Sequence, residues 1–379
     1  MDFELTEEHR LLKETAYKFA VREFAPVARE YDREEKYPRE ILRKAAAAGL
    51  TGIVVPEEYG GPGAGFFELA LITEQLSRVD LGMGLVVVGA TFGAENILFF
   101  GTAEQKARYL PPLVEGRAVC AGAFTEPDAG TDITAARTRA VADGGDWVIN
   151  GGKMFITNGT VCDFMVVLCL TDPDQDKAHQ RFSLILVEAD RPGVMRSRIH
   201  GKMGIRATDT AAITFEDVRV PRENLIGARG RGFYQLMHFF DCTRTMVAAQ
   251  GVGLAQGALD KTIRYAKERL VFGRPLAENQ GVQFQLAEMA TRVELARNIA
   301  YKAAWLTDRG EVDPALAAMA KYYAGETAVW VADKAVQLHG GYGYIDEYDV
   351  QRFYRDAKIL EIYEGAKEAE KLTIARRLL

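Results

Sequence analysis

Cysteine and histidine are scarce in this chain of 379 residues, which holds four of the former and five of the latter. The cysteines form no CxxC pair and are too scattered for a disulfide scaffold. The histidines show no metal-ligand spacing. We therefore expect neither a disulfide framework nor a structural or catalytic metal. The residues are Cys120, Cys162, Cys169, Cys242, His9, His179, His200, His238 and His339.

An excess of positive charge is also lacking, because 47 Lys and Arg stand against 53 Asp and Glu, for a net charge of -6. This balance argues against a general nucleic-acid binder. No apolar run approaches the ~18 residues of a membrane span, so we expect no membrane insertion. The start, MDFELTEEHRLL, carries early acids and no basic n-region, and we expect no secretory signal and a cytoplasmic location.

The chain reads as helices, then strands, then helices, with expected domains at 1–119, 120–230 and 231–379. Thr6, followed by two acids, is typical of a helix N-cap. Apolar spacing predicts further helices from about 66 to 79 and from 103 to 115.

The middle region has short β-branched or apolar runs at 164–170, 182–187 and 211–215. Asn150-Gly151 between two such runs predicts a hairpin turn. Together these runs predict a small sandwich or barrel.

Helical spacing returns near Gly232 and holds to the last residue, with long helices predicted over 244–270 and 283–308 and a third opened by Asp313-Pro314. Gly251-Val252-Gly253 within this region resembles a dinucleotide-binding motif. The third glycine, Gly257, comes one place late, and no strand precedes the segment. Small residues that let helices pack closely are the better interpretation.

Two glycine-containing segments stand out as candidate ligand sites. Residues 123–132, AFTEPDAGTD, have the composition of a polar loop, although hydroxyls and backbone amides there could hold a flat polar ring or a diphosphate. Residues 337–344, QLHGGYGY, could be a helix C-cap, or they could let a ligand approach the backbone closely.

These segments together resemble the two signatures of the acyl-CoA dehydrogenase family. Further family-like motifs occur in order at KMFITNG (153–159), GKMGIR (201–206), ERLVFG (268–273) and IYEG (362–365). The resemblance covers essentially the whole chain. It implies an α+β multi-domain fold with an N-terminal helical domain, a middle β-barrel or sandwich domain and a C-terminal four-helix bundle.

The resemblance implies FAD-dependent oxidation of an acyl-CoA thioester to its trans-2-enoyl form, with Glu364 as the base that removes the α-proton. By its neighbours alone, Glu364 would be a solvated helical charge. Gly365 beside it leaves room for substrate. Some relatives carry the base instead on the helix that contains Thr243, where this chain has no glutamate.

The resemblance also implies the binding residues. Phe155 stands where relatives often have Trp, and Arg269 suits a diphosphate unless it pairs with Glu268 or Glu278. Contacts to FAD are implied for Phe124, Thr125, Gly130, Thr131, Phe155, Ile156, Thr157, Arg269, Phe272, Gln280, Gln337, Gly340 and Gly341, several of them from a neighbouring subunit. Contacts to acyl-CoA are implied for Thr131, Asp241, Arg244, Tyr363 and Gly365.

One departure from the family pattern follows the base, where Ala366 and Glu368 replace usual flavin-contacting types. The stretch 85–90 aligns with the wall of the family's acyl pocket and is apolar throughout. It therefore favours a straight short- or medium-chain acyl group, leaves branched or alicyclic groups open, and disfavours a dicarboxylic one. The family resemblance further implies a homotetramer that passes electrons to electron-transfer flavoprotein. Alternatives are an acyl-CoA oxidase and a non-catalytic scaffold that keeps the fold.

Overall fold

The computed structural model describes residues 4–379, and its first third is helical. The Thr6 hydroxyl accepts a hydrogen bond from the His9 amide at 3.2 Å, so the first helix begins where the sequence predicts. The predicted helix at 66–79 is observed with those bounds. The helices are α1 (Glu7–Glu23), α2 (Ala28–Glu34), α3 (Arg39–Ala47), α4 (Phe66–Val79), α5 (Leu81–Val88), α6 (Glu95–Phe100) and α7 (Ala103–Val114).

The segment Leu81–Phe100 corrects the expectation that no apolar stretch reaches the length of a membrane span. Its mean hydropathy of 1.6 over 20 residues meets that test, although 72% of the window is buried inside the protein. The segment is divided into α5, a short 3-10 turn and α6. Buried core helices pass the same test of length and composition, and this segment packs among other helices.

The middle of the chain forms one mixed eight-stranded sheet, ordered β6-β7-β3-β2-β4-β5-β8 with β1 beside β4. One half of the sheet consists of β6, β7, β3 and β2, and the other consists of β1, β4, β5 and β8. The two halves are joined at a single residue pair, Arg139 of β2 with Leu170 of β4. Trp147 and Phe215 from one half share a buried cluster with Met165 and Ile185 from the other, so the sheet curls around a common core. The strands are β1 (Cys120–Ala123), β2 (Arg139–Asp143), β3 (Asp146–Thr157), β4 (Phe164–Leu170), β5 (Phe182–Glu188), β6 (Val194–Arg198), β7 (Thr210–Pro221) and β8 (Leu225–Ile226).

The predicted hairpin turn at Asn150-Gly151 is wrong, because both residues lie inside the continuous strand β3. The β2–β3 turn is instead at Gly144-Gly145, between the paired residues Asp143 and Asp146. Gly151 marks a bulge opposite β7 and has φ 145. A side chain there would lie 2.6 Å from a backbone atom of Thr138, so the glycine serves close approach within the sheet.

The last third is helical as predicted, and its long helices pack against one another and against α4. The third predicted helix begins at Pro314, with Asp313 as its N-cap. Helices α8, α9 and α10 share a buried core, and α12 packs along α10. The elements are α8 (Gly232–Glu268), β9 (Leu270–Val271), β10 (Arg274–Pro275), α9 (Gln280–Asp308), α10 (Pro314–His339), α11 (Val350–Ala357) and α12 (Lys367–Leu378).

The glycines of α8 explain how α4 and α10 come so close to it. A Cβ on Gly257 would stand 2.0 Å from the carbonyl oxygen of Arg78 in α4, and one on Gly251 would stand 2.8 Å from that of Ala324 in α10. The close-packing interpretation of this motif therefore agrees with the structure.

Gly257→Ala should lower the free energy of unfolding by about 1–3 kcal/mol, because the methyl group has to displace the α4 backbone. Urea denaturation of the purified protein measures this change. Gly145→Ala is the matched control, because nothing lies within 4 Å of its added methyl group, and it should change stability by about 0.5 kcal/mol or less. Equal effects of the two substitutions would contradict the close-packing interpretation.

Candidate active site

Glu364 lies on a short left-handed turn between a 3-10 turn that ends at Glu361 and helix α12. Its φ is 53, which is unusual for a residue with a side chain, and Gly365 follows with φ 110. The half-buried Glu364 carboxylate accepts a hydrogen bond from the Thr243 hydroxyl of α8 at 2.8 Å. The turn thus directs this carboxylate toward α8.

Burial raises the pKa of Glu364 to about 7, and the nearby carboxyl of Glu95 adds to the rise. The Thr243 hydrogen bond and the positive charges of Arg244 and Lys321 act in the opposite direction. A carboxylate with such a pKa holds or releases a proton near neutral pH, which suits a general base.

Three residues predicted to contact substrate lie at the Glu364 turn. Arg244 pairs with Asp241 at 2.8 Å, and its Nε donates to the carbonyl oxygen of Glu364 at 3.3 Å. Burial raises the pKa of Asp241 to about 6. The Tyr363 hydroxyl donates to the side-chain oxygen of Gln250 on α8.

Gly365 has a structural reason to be glycine besides room for substrate. A Cβ at this position would lie 1.8 Å from a carboxylate oxygen of Glu370. Its φ of 110 is also disfavoured for any residue with a side chain.

A buried ion pair fixes the loop at residues 123–132, which contains the first family signature. Lys153 Nζ lies 2.8 Å from the Glu126 carboxylate, and both side chains are at least nine-tenths buried. The same carboxylate accepts from the backbone amides of Arg137 at 2.7 Å and Thr138 at 2.9 Å. The loop backbone is therefore held in one conformation.

The outer side of this loop is open. The amide of Met154 donates to the carbonyl of Thr125 at 2.9 Å, which joins the loop to β3. Gly130 and Thr131 are exposed, and nothing lies within 4 Å of a Cβ built on Gly130. Backbone and hydroxyl groups of this loop are thus free to face a ligand.

Phe155, Ile156 and Thr157 lie at an irregularity in the β3–β7 pairing. Phe155 has φ 60 and is 62% exposed, so the irregularity in the pairing turns this residue outward. Ile156 is buried in the sheet core, and only its backbone can reach a ligand on the open side. Thr157 is half-buried.

Aromatic rings connect the first-signature loop to α8. The Phe124 ring lies 5.7 Å from that of Phe239 and 6.0 Å from that of Phe240. The Arg244 guanidinium lies 5.9 Å from the Phe240 ring, one helical turn further along. The structure therefore brings the loop and the surroundings of Glu364 together.

A separate cavity of about 610 Å³, called here the Arg269 cavity, brings together four predicted cofactor residues. Among residues 4–379, Arg269 forms no ion pair with Glu268 or Glu278, and its guanidinium lies 5.6 Å from the Tyr342 ring. Nothing lies within 4 Å of a Cβ built on the glycines at 340 and 341. A guanidinium, an amide and two bare backbone positions fit the diphosphate of FAD. The lining includes Arg269, Gln337, Gly340, Gly341, Tyr265 and Tyr342.

Phe272 and Gln280 lie apart from the Arg269 cavity lining. Phe272 is fully exposed in the β9–β10 hairpin, and Gln280 is exposed at the first position of α9. Their predicted contact with the FAD of a neighbouring subunit stays a prediction.

Lys321 and Glu370 are both buried beside the Glu364 turn, and the sequence analysis did not predict either as a site residue. The signal for Lys321 was present, because it is the single lysine in the alanine-rich first half of α10. Glu370 looked like one more charge in the acidic and basic run of α12, and nothing in the sequence marks it as buried.

The family profiles match the chain in the same order as its structural parts. The N-terminal, middle and C-terminal domains of acyl-CoA dehydrogenase match residues 6–117, 121–218 and 230–379. The chain belongs to the acyl-CoA dehydrogenase family, whose members are FAD-dependent oxidoreductases.

Individual members of the family are similar to this chain over its whole length. It is 42% identical to the acryloyl-CoA reductase (NADH) of Anaerotignum propionicum, over 100% of this chain and 96% of the relative. It is 37% identical to butyryl-CoA dehydrogenase from Megasphaera elsdenii, with a TM-score of 0.96 and full coverage of both chains. It is 42% identical, with a TM-score of 0.97 and full coverage of both, to a chain in the solved structure "Electron transferring flavoprotein of Acidaminococcus fermentans: Towards a mechanism of flavin-based electron bifurcation".

The pKa of Glu364 predicts the acid side of the pH profile. A base must be deprotonated, so kcat/KM for an acyl-CoA should fall about tenfold per pH unit below about pH 7 and level off above it. Thr243→Val removes the hydrogen bond that lowers this pKa, and it should move the limb to higher pH. Steady-state kinetics between about pH 5.5 and 9 measures both profiles; a limb that Thr243→Val leaves in place would contradict the assignment.

Ala366 is the N-cap of α12 and offers no side-chain hydrogen bond. Ala366→Thr should therefore raise the free energy of unfolding by about 0.5–2 kcal/mol through a new cap. Ala366→Val has a similar shape without the hydroxyl and is the control. Urea denaturation of the flavin-loaded protein distinguishes the two, and equal stabilisation by valine would contradict the capping explanation.

Proposed function

We propose that this protein oxidises an acyl-CoA thioester to the trans-2-enoyl-CoA, with Glu364 as the base that accepts the α-proton. The observation that carries the proposal is a half-buried carboxylate with a pKa of about 7, held by Thr243. When bound, FAD supplies the acceptor for the β-hydride.

The residues of the chain have distinct tasks in this proposal. Thr243 orients the carboxylate, so that the proton passes from Cα to an oxygen already fixed in place. Asp241, Arg244, Tyr363, Gly365 and Thr131 are the proposed contacts to acyl-CoA. The proposed FAD contacts are Phe124, Thr125, Gly130, Thr131, Phe155, Thr157 and the backbone of Ile156, with Arg269, Phe272, Gln280, Gln337, Gly340 and Gly341 acting on the cofactor of another copy.

That division of contacts requires more than one copy of the chain, and a homotetramer is our proposed assembly. Electron-transfer flavoprotein is the proposed acceptor, supported by likeness to a chain solved in a study of such a flavoprotein. A cytoplasmic location stays a prediction.

The proposed substrate is a short- or medium-chain aliphatic acyl-CoA. Residues 85–90 are apolar and fully enclosed, which gives a charged distal group no partner there. Likeness to butyryl-CoA dehydrogenase supports a short chain.

A second candidate is the same reaction run toward saturation, favoured by the likeness to acryloyl-CoA reductase. Anaerobic addition of crotonyl-CoA to the chemically reduced protein tests it. Rapid return of the oxidised flavin spectrum supports this direction, whereas an unchanged reduced spectrum excludes it for this substrate.

Glu364→Gln should abolish turnover, by about a thousandfold or more, while the protein still binds flavin. Glu14→Gln, which removes an exposed charge on α1, is the control and should keep nearly full activity. Dye-coupled turnover and visible absorbance measure the two properties. Near-normal activity of Glu364→Gln would show that the base is another residue.

A further inference from the structure

Three charged side chains from three helices meet beneath the Glu364 turn. Lys321 of α10 and Glu370 of α12 are completely buried, and Arg244 of α8 is 12% exposed. Burying charges is costly unless they are paired, so their convergence at one point requires an explanation.

The two cations hold successive carbonyl groups of the turn. Arg244 Nε donates to the carbonyl oxygen of Glu364 at 3.3 Å, and Lys321 Nζ donates to that of Gly365. These two hydrogen bonds hold the backbone of the turn, including the left-handed conformation of Glu364.

Glu370 is the counter-charge for both cations. Its carboxylate lies 3.1 Å from Arg244 Nε and occupies the space where a side chain of residue 365 would stand. Neither of its oxygens has a well-formed hydrogen bond within the described part of the chain. Charge attraction is therefore its main interaction there.

The ionisation of these groups is consistent with that arrangement. Burial lowers the pKa of Lys321 to about 8, and Glu370 and Glu364 oppose the decrease. Burial raises the pKa of Glu370, and Arg244 and Lys321 oppose that rise. The opposite charges of the cluster thus favour one another's ionised form.

We propose that Lys321 and Glu370 are positioning residues for the base: with Arg244 they hold the Glu364–Gly365 turn, and the charge of Lys321 keeps Glu364 ionised at working pH. The proposal rests on the proposed role of Glu364. Neither residue needs to touch substrate, because both act through the carbonyls and the charge of the turn.

Charged groups from four helices lie around the Glu364 turn. Arg244 of α8 and Lys321 of α10 lower the pKa of Glu364, and Glu95 of α6 raises it. Asp241 of α8 and Glu370 of α12 pair with Arg244. Of the two cations, Lys321 is the one whose charge can be removed without removing a proposed substrate contact.

The first test is Lys321→Met in the flavin-loaded protein, with Lys371→Met as control. Lys371 lies on α12 and is 48% exposed; it pairs with Glu326 at 3.7 Å, and its Nζ lies 4.6 Å from the centre of the Tyr322 ring. The acid limb of kcat/KM should move to higher pH in Lys321→Met, giving a loss on the order of tenfold at pH 6 for a shift of about one unit. Lys371→Met should keep the unmodified profile. An unmoved limb in a Lys321→Met protein with normal flavin content overturns the proposal.

The second test uses Glu370→Gln, a nearly isosteric change that also serves if Lys321→Met does not fold. Exchange of the substrate α-proton with D2O under anaerobic conditions, followed by mass spectrometry, reports the proton step without an electron acceptor. At pH 9, where Glu364 is ionised in either protein, exchange should slow about fivefold or more if the turn is misplaced. A rate within about twofold of the unmodified protein overturns the positioning role of Glu370.

The double substitution Lys321→Met with Glu370→Gln checks that the two residues act together. Its loss should be smaller than the product of the single losses, because no buried charge is left without its partner. Independent, multiplying losses would contradict the pairing. If Glu364→Gln kept turnover, the proposed role of Glu364 as the base would be wrong. If Glu364→Gln were inactive while the Lys321 and Glu370 variants kept the pH profile and exchange rate of the unmodified protein, only the positioning proposal would be overturned.

Discussion

The left-handed turn at Glu364 and Gly365 is the constraint on which the site depends. A carboxylate there is directed at α8 only while the backbone keeps a conformation that a residue with a side chain seldom adopts. The groups that hold it come from α8, α10 and α12, which are far apart in the chain. The helical bundle is therefore the frame that fixes one proton acceptor.

Buried ion pairs hold the two segments of irregular backbone at the site, the first-signature loop and the Glu364 turn. Lys153 and Glu126 hold the first-signature loop, as Arg244 and Glu370 hold the turn. In each case a carboxylate or cation binds backbone groups that no regular strand or helix could satisfy. These interactions specify a conformation at a cost in desolvation, which is the expected pattern where geometry matters more than stability.

The sequence could predict the features that depend on local pattern. Helix α4 and the start of α10 follow from apolar spacing and capping residues, and the structure has both. The hairpin turn predicted at Asn150-Gly151 was wrong, because this dipeptide occurs both in turns and in bulges. Only the pairing of β3 with β7 distinguishes the two. The lone lysine in the alanine-rich first half of α10 marks Lys321 as unusual without showing its partners. Glu370 could not be assigned, because the burial of a charge depends on helices that meet only in the folded protein.

The most direct test is a visible absorbance scan of the purified, flavin-loaded protein before and after anaerobic addition of butyryl-, octanoyl- and isovaleryl-CoA. The account predicts a flavin spectrum that one of these thioesters bleaches, most completely a short straight chain. A colourless protein that cannot be reconstituted with FAD would contradict the account and favour a scaffold that keeps the fold. A yellow protein that none of them bleaches would contradict the proposed aliphatic substrate.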